Sequence, residues 1–365
     1  AVLQFNRTPE LAVSVAKKIL FVPVTHFYDD YLTLGARSEA GSGQAALRYI
    51  LLILGAVVDN EKHQPMTPCF TFIGVHVNLW DVSGGFMKFA PKHGRGGVLR
   101  SIIAKAIDTN RFTAADSSTL RGKAAFIGST LTGRILRGCE YTLIQREYHS
   151  ESTGITPELL LSFQFILEAL DRVPPKKIRI SSSKTRPALL YTDAEFHDLH
   201  TPMGFGWVLL LPDKAPIVGT ATIPLAVMHE FNSRENQIIV GESLAALSVF
   251  FTVPHLIQHH DVIHFVDNTG AMSATISGVC KAEDIGAIAC LYQLVVAGLS
   301  CRSWSEFVES SANLADGPSR LGPEWAATML GRSLNATFIT AKLPPLNNLM
   351  EMPLSLLLDL FLFRK

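Results

Sequence analysis

Charge is scarce in this sequence: Asp, Glu, Lys and Arg together make up 18% of 365 residues, and they cancel to a formal net charge of +0. Globular proteins average roughly 25% charged residues. A protein that simply coats nucleic acid is therefore disfavoured, because phosphate contacts need a surplus of Lys and Arg. Cysteine pairing is also missing. The five cysteines, Cys69, Cys139, Cys280, Cys290 and Cys301, are odd in number, and none forms a Cys-x-x-Cys pair. They read as free thiols of a reducing, intracellular compartment, cytoplasm or nucleus, with no structural zinc. Long apolar runs are absent as well. The stretch 354–363 is apolar but only about ten residues long and contains Asp359, too short to span a bilayer. No signal peptide opens the chain, and the start at Ala1 without Met reads as a fragment or a processed product. No internal repeat is present.

Several familiar chemistries are missing too. His229-Glu230 lacks the second His of a zinc-protease helix, and Gly94-Arg95-Gly96-Gly97 lacks the Gly-Lys-Ser ending of a phosphate loop. His259-His260-Asp261 reads as a solvated turn, and no Gly-x-Ser-x-Gly nucleophile elbow occurs.

What is present is organised. Hydrophobic residues make up 48%, enough to bury a real core. The middle of the chain is basic: Arg95, Arg100, Lys105, Arg111, Arg121, Lys123, Arg134, Arg137 and Arg146 face only Asp108, Asp116 and Glu140. From Arg172 to Arg186 there are Arg172, Lys176, Lys177, Arg179, Lys184 and Arg186 with no acid. Periodicity predicts helices over 11–20, 44–54, 98–107, 117–137 and 157–170. It predicts short strands at 20–24, 31–34 and 71–79, a glycine-rich loop over 84–97, and a linker over 173–186. Beyond Pro187 three strands follow quickly, at 188–192, 204–211 and 217–223. A long helix over 236–253, a strand at 262–266, a helix over 282–296, a strand at 300–308 and a short helix from Ala312 complete a mixed sheet with helices on its faces.

Four acids stand out against this pattern. Asp193 ends the first of these strands, Glu242 lies in the long helix, Asp267 ends the isolated strand, and Asp316 stands near the start of the last helix. If the first and fourth strands are parallel neighbours, both Asp residues emerge at one sheet end, where a crossing helix can bring Glu242. Two carboxylates at 4 Å repel by about 4 kcal/mol at an effective dielectric near 20. Divalent cations remove that cost, and hard oxygen ligands suit Mg²⁺ or Mn²⁺. Two such ions can activate a water and stabilise the leaving oxygen in phosphodiester hydrolysis. Singly, each acid reads as well as a turn or cap residue.

Tyr-Thr-Asp-Ala at 191–194, Glu-Ser-Leu-Ala-Ala at 242–246, Phe-Val-Asp-Asn at 265–268 and Asn-Leu-Ala-Asp-Gly-Pro-Ser-Arg at 313–320 resemble the ribonuclease H domain of retroelement polymerases. The resemblance covers 188–320. It implies that Asp193, Glu242, Asp267 and Asp316 bind two Mg²⁺ or Mn²⁺ ions and cut the RNA strand of RNA–DNA hybrids. The sequence departs from cellular members at 310–313, which holds no His. Upstream, Phe27-Tyr28-Asp29-Asp30 resembles the palm motif of reverse transcriptases, which implies metal binding by Asp29 and Asp30 at a hairpin turn. Residues 1–9 with Phe5-Asn6-Arg7 resemble the template-contacting motif. Val58-Asp59-Asn60-Glu61-Lys62 resembles the motif whose Lys, here Lys62, donates a proton to pyrophosphate. Phe70-Thr71-Phe72-Ile73-Gly74 resembles the primer-grip strand.

The expected architecture is therefore α+β and multidomain. It comprises a partial reverse-transcriptase palm at 1–92, a helical thumb at 93–150, a connection at 151–187, an α/β ribonuclease H-like domain with a mixed five-stranded sheet at 188–320, and a tail at 321–365. The resemblance is to polymerases of long-terminal-repeat or tyrosine-recombinase retroelements. It implies a hybrid and a primer–template duplex as partners, no membrane, and backbone contacts from Arg100, Arg121, Lys123, Arg134, Lys176 and Lys177. The fingers and the first palm Asp are not matched, so the remainder of the polymerase polypeptide is an expected partner, and no primer extension is expected from these residues alone. Two other readings stay open: a catalytically inactive or domesticated nucleic-acid-binding remnant, and a DNA-cutting nuclease or transposase. Retention of all four acids favours the nuclease over the remnant. The Glu on the first long helix favours ribonuclease H over transposases, which usually place theirs late.

Overall fold

The computed structural model describes residues 6–39, 41–180, 186–320 and 335–343. The expectations that rest on residues 1–5 and on the apolar stretch 354–363 lie outside the described residues. The chain divides into two compact units, Ala1–Lys92 with Lys177–Ile180, and His93–Lys176 with Ser181–Lys365. Among the described residues, no helix is long and apolar enough to cross a membrane.

In the first unit, helix α1 (Arg7–Lys18) has Glu10 in its first turn and Lys17 and Lys18 in its last, the arrangement the helix dipole favours. Its Ala12, Val13 and Ala16 pack against Leu47, Ile50 and Leu51 of α2 (Ser42–Ile53) and against Val24. Between the helices lies an antiparallel hairpin, β1 (Val24–Phe27) and β2 (Asp30–Thr33), with Phe27 opposite Asp30. A four-stranded sheet of order β3-β4-β5-β6 completes the unit, from β3 (Cys69–Phe72), β4 (Val75–Asn78), β5 (Phe86–Pro91) and β6 (Lys176–Arg179).

This sheet corrects three expectations. The single strand at 71–79 is a hairpin, because Ile73 and Gly74 turn the chain at φ of 50° and 75°. The glycine-rich stretch 84–97 is not all loop: Phe86–Pro91 pairs antiparallel with β4, Val77 opposite Phe89. Nor is 173–186 wholly a linker, since Lys176–Arg179 forms the edge strand beside β5.

The second unit opens with helices. Arg95–Thr109 is α3 and Ala114–Gly128 is α4, which begins at a full capping box between Thr113 and Asp116. The helix expected over 117–137 therefore stops at Gly128. A 3₁₀ turn over Ile135–Cys139 leads into α5 (Glu140–Tyr148), which periodicity did not predict. Thr156 caps α6 (Pro157–Arg172), with Pro157 at its first position.

A mixed six-stranded sheet follows, ordered β11-β10-β7-β8-β9-β12. Its strands are β7 (Ala188–Glu195), β8 (Met203–Leu210), β9 (Ile217–Ile223), β10 (Asp261–Val266), β11 (Arg302–Phe307) and β12 (Thr337–Thr340). The expectation of five strands was one short. Thr337–Thr340 pairs parallel with β9 from within the stretch taken as tail. Helices α7 (Ile238–Thr252), α8 (Thr269–Ser277) and α9 (Glu283–Gly298) complete the unit, and α8 was also unforeseen. Leu99, Phe112, Leu136 and Phe163 of the helical segment share one core with Leu190, Phe205, Trp207 and Leu244.

Two close approaches set the geometry of the sheet end. A Cβ on Gly241 would sit 2.0 Å from the Met203 sulfur and 2.9 Å from the Ala194 Cβ, so only glycine lets α7 lie this near β7 and β8. On the opposite face, a Cβ on Gly206 would sit 2.7 Å from the Pro318 carbonyl carbon, so the helical residues 316–320 rest directly on β8.

Candidate active site

Strands β7 and β10 are parallel neighbours with Tyr191 opposite Phe265. Two residues beyond that pair stand Asp193 and Asp267. Equal offsets from paired residues put both carboxylates at one sheet end and one level. The Tyr191 and Phe265 rings stack at 4.6 Å beneath them, which locks the register. Helix α7 crosses the end from the other face and contributes Glu242, the residue after the glycine that allows its close approach.

Ligand oxygens of Asp193, Glu242 and Asp267 all lie within 4.8 Å of one another. Asp193 and Glu242 are each only 3% exposed. Burial pushes Asp193 up to about 6; the Ser319 hydroxyl pulls it back, and the charges of Asp267 and Asp316 push it further. Glu242 is raised well above the usual carboxylate range, first by burial and then by the charges of Asp193 and Asp267. Its Oε2 is buried without a hydrogen-bond partner. A buried carboxylate oxygen with no donor, facing two more carboxylates, is costly unless a cation sits there. The donor set is all oxygen, which fits Mg²⁺ or Mn²⁺.

Asp316 is not a member of this three-carboxylate cluster. Its Oδ1 receives Arg320 at 2.7 Å, although its charge still reaches Asp193. Residues around it do the positioning. The Ser319 hydroxyl donates to Asp193 and also lies 2.8 Å from the Asp316 carbonyl. Asn313 Nδ2 donates to the Thr192 carbonyl at 3.0 Å and so ties this segment to β7. Asn268 caps α8 by accepting from the Gly270 and Ala271 amides, both at 3.0 Å, which fixes the chain just past Asp267. Asn268, Asn313 and Ser319 lie within the motifs at 265–268 and 313–320, which by themselves assign them no role. The only available signal was local spacing, such as Ser319 three residues after Asp316.

A buried polar chain behind the site was missed entirely. Thr192 Oγ1 and His264 Nε2 lie 2.9 Å apart, His264 Nδ1 and the Tyr292 hydroxyl 3.4 Å, and that hydroxyl and Ser303 Oγ 2.7 Å. Burial lowers the His264 pKa to about 3, from an ordinary value near 6.5. The folded protein thus keeps His264 neutral while the unfolded chain takes up a proton below about pH 6.5. The resulting stability is complete above that pH and is lost as pH falls towards 3, at up to about 1.4 kcal/mol per unit. His264→Asn cannot titrate. Between pH 7 and pH 5 wild type should lose about 2 kcal/mol more than the variant in urea unfolding. Parallel losses in the two proteins would refute a neutral buried His264.

The other expected site residues lie elsewhere. Tyr28 and Asp29 form the two-residue turn of the β1–β2 hairpin, with Tyr28 at φ 55°, and Asp30 opens β2; all three are exposed. Lys62 is exposed in a turn beyond Asp59, whose carboxylate accepts from the Glu61 amide at 2.9 Å. Arg100 is held by Asp171 at 2.7 and 3.3 Å, and Arg121 by Glu147 at 2.8 Å. Lys123, Arg134 and Lys176 are exposed. Lys177, also exposed, lies 3.6 Å from Asp81 and 3.9 Å from the Phe86 ring centre.

No family model matches the sequence, and no curated protein matches it. Among solved structures, the foamy viral protease-reverse transcriptase dRH in complex with ds DNA is similar over 81% of this chain and 48% of that one, at 14% identity and TM-score 0.39. The foamy viral protease-reverse transcriptase in complex with RNA/DNA hybrid is similar over 82% and 37%, at 10% identity and TM-score 0.39. RNase H1 from the halophilic archaeon Halobacterium salinarum NRC-1 is similar over 37% and 96%, at 18% identity and TM-score 0.30. The chain thus spans about half the length of the first foamy viral structure. Likenesses this distant carry no argument about activity, which rests on the site itself.

Proposed function

We propose that the unit carrying Asp193 is a ribonuclease H that cleaves the RNA strand of RNA–DNA hybrids, within a retroelement RNA-directed DNA polymerase. The observation that carries this reading is the convergence of Asp193, Glu242 and Asp267 from two parallel strands and a crossing helix, with one buried carboxylate oxygen left without a partner. These three residues would hold divalent cations, with Asp316 beside them. When bound, such ions neutralise the cluster and supply a water activated for phosphodiester hydrolysis. The chain's own residues hold the frame: Ser319 orients Asp193, Asn268 anchors the strand end at Asp267, and Asn313 holds the Asp316 segment to β7. In the same reading residues 1–92 are a partial palm with Asp29, Asp30 and Lys62, residues 93–150 a thumb, and the exposed cations Lys123, Lys176 and Lys177 contact phosphates.

Phosphate contacts carry no sequence information, whereas 2′-hydroxyls distinguish RNA from DNA. Labelled RNA paired with DNA should therefore be cut almost independently of sequence, with Mg²⁺ or Mn²⁺ and not with a chelator. Binding should weaken steeply with salt. The same RNA alone, and double-stranded DNA, should stay intact. Equal cleavage of double-stranded DNA would sink the assignment.

A further inference from the structure

Among the described residues, the β11 edge of the six-stranded sheet is unpaired and lies beside a cleft. Strand β11 is terminal in the sheet order and pairs only with β10 among the described residues. The Arg302 and Val308 amides donate inward, to His260 and Val266 at 3.1 Å each. Backbone direction alternates along a strand, so the N–H and C=O groups of Ser303, Ser305 and Phe307 point away from the sheet. Side chains alternate between the two faces. Ser303 faces the helices, where its hydroxyl meets Tyr292, and Trp304 faces the other side, 69% exposed with its indole N–H on Glu306. Phe307 is 47% exposed.

Free strand edges are normally blunted by inward charges, proline or a bulge, because they template pairing with another chain. This one has neither proline nor bulge, its charges Arg302 and Glu306 are engaged by Asp261 and the Trp304 indole, and Trp304 and Phe307 stand exposed. Against it, on the helix side, lies a cavity of about 250 Å³ lined by residues that include Arg134, Ile276, Gln293 and Ser305. The Arg134 guanidinium is exposed and has no carboxylate partner among the described residues.

We propose that β11 is a docking edge for an extended peptide of a partner protein, which adds as a further strand and places an acidic side chain in the cleft on Arg134. Main-chain bonds to Ser303, Ser305 and Phe307 supply affinity. Alternate side chains supply specificity: one set enters the cleft, where the cation selects Asp or Glu, and the other lies over Trp304, where an apolar residue is favoured. The occupant is a partner peptide on charge complementarity. A second copy meeting edge to edge would bring a like-charged Arg134 to the same place. The proposal does not depend on the carboxylate cluster or on nuclease activity.

The probe is a fluorescein-labelled nonapeptide alternating Val and Thr with one central Glu, read by fluorescence anisotropy against the whole chain. Replacing its Glu with Lys should weaken binding roughly tenfold. Arg134→Glu should reverse the preference between the two peptides. Ser305→Pro removes an outward N–H at a position where an edge strand tolerates proline, and should weaken the Glu peptide roughly fivefold. If that variant misfolds, N-methylation of alternate peptide amides removes the same bonds without touching the protein. Binding that ignores Arg134→Glu and N-methylation, or no binding of any peptide, overturns the proposal. So does sedimentation showing self-association that Ser305→Pro abolishes, since the occupant would then be a second copy.

Discussion

Asp267→Asn is expected to lower hybrid cleavage on the order of a thousandfold or more, while hybrid affinity changes by no more than about threefold. The asymmetry follows from where the residue stands. Asp267 offers its oxygen to the cluster with Asp193 and Glu242. A neutral amide there weakens the hold on a cation but removes no phosphate contact. Asp316→Asn should cost less, roughly tenfold, because Asp316 stands outside the cluster and is held by Arg320. Lys176→Ala with Lys177→Ala should do the reverse, weakening binding and flattening its salt dependence with a smaller effect on the rate of the bound complex. Single-turnover cleavage and filter binding separate the two effects. Full activity in Asp267→Asn, or equal losses in Asp267→Asn and Asp316→Asn, would refute the cluster as the reacting centre.

The same cluster shows what a sequence discloses and what it hides. Asp193 and Asp267 were legible because each follows a short apolar run, and the long helix after the three-stranded meander returns the chain for parallel pairing with the first strand. Glu242 was legible because its helix is long and continuous. The looser place of Asp316 was not, since it depends on Arg320 closing over it within one short turn. His264 was hidden by its surroundings, since a single His in an apolar strand carries no periodic signal and its partners Thr192 and Tyr292 are distant in sequence. The missed elements share another cause. Helix α8 is built of small residues with little apolar contrast between its faces, and α5 follows a 3₁₀ turn that a helical period cannot anticipate. Strand β5 lies among glycines, and β12 is four residues whose only reason to be a strand is β9, more than a hundred residues earlier. Tertiary pairing decides such segments, not local preference.

Without divalent cations, Asp193→Asn should make the protein more stable at neutral pH. In the native fold Asp193 is pushed up to about 6, above its ordinary 3.8. A carboxyl raised in this way contributes its full stability below about pH 4, where folded and unfolded states are both protonated. That contribution is lost as pH rises through about 6, because the unfolded chain ionises first. Two units of displacement correspond to about 3 kcal/mol lost by pH 7.5. Asn does not ionise, and its carbonyl oxygen can still accept from Ser319, so the variant should escape most of that loss. In a chelator, Asp193→Asn should therefore unfold at higher urea than wild type at pH 7.5, with the gap closing towards pH 4. Glu242→Gln should act in the same direction, since Glu242 is raised further by burial and by both neighbours. Millimolar Mg²⁺ or Mn²⁺ should then stabilise wild type, because a ligand that binds only the native state adds its binding free energy to folding, and should do so far less in either variant. Wild type that is more stable than both variants in chelator at pH 7.5, and indifferent to added cation, would show that these carboxylates are satisfied by the protein alone.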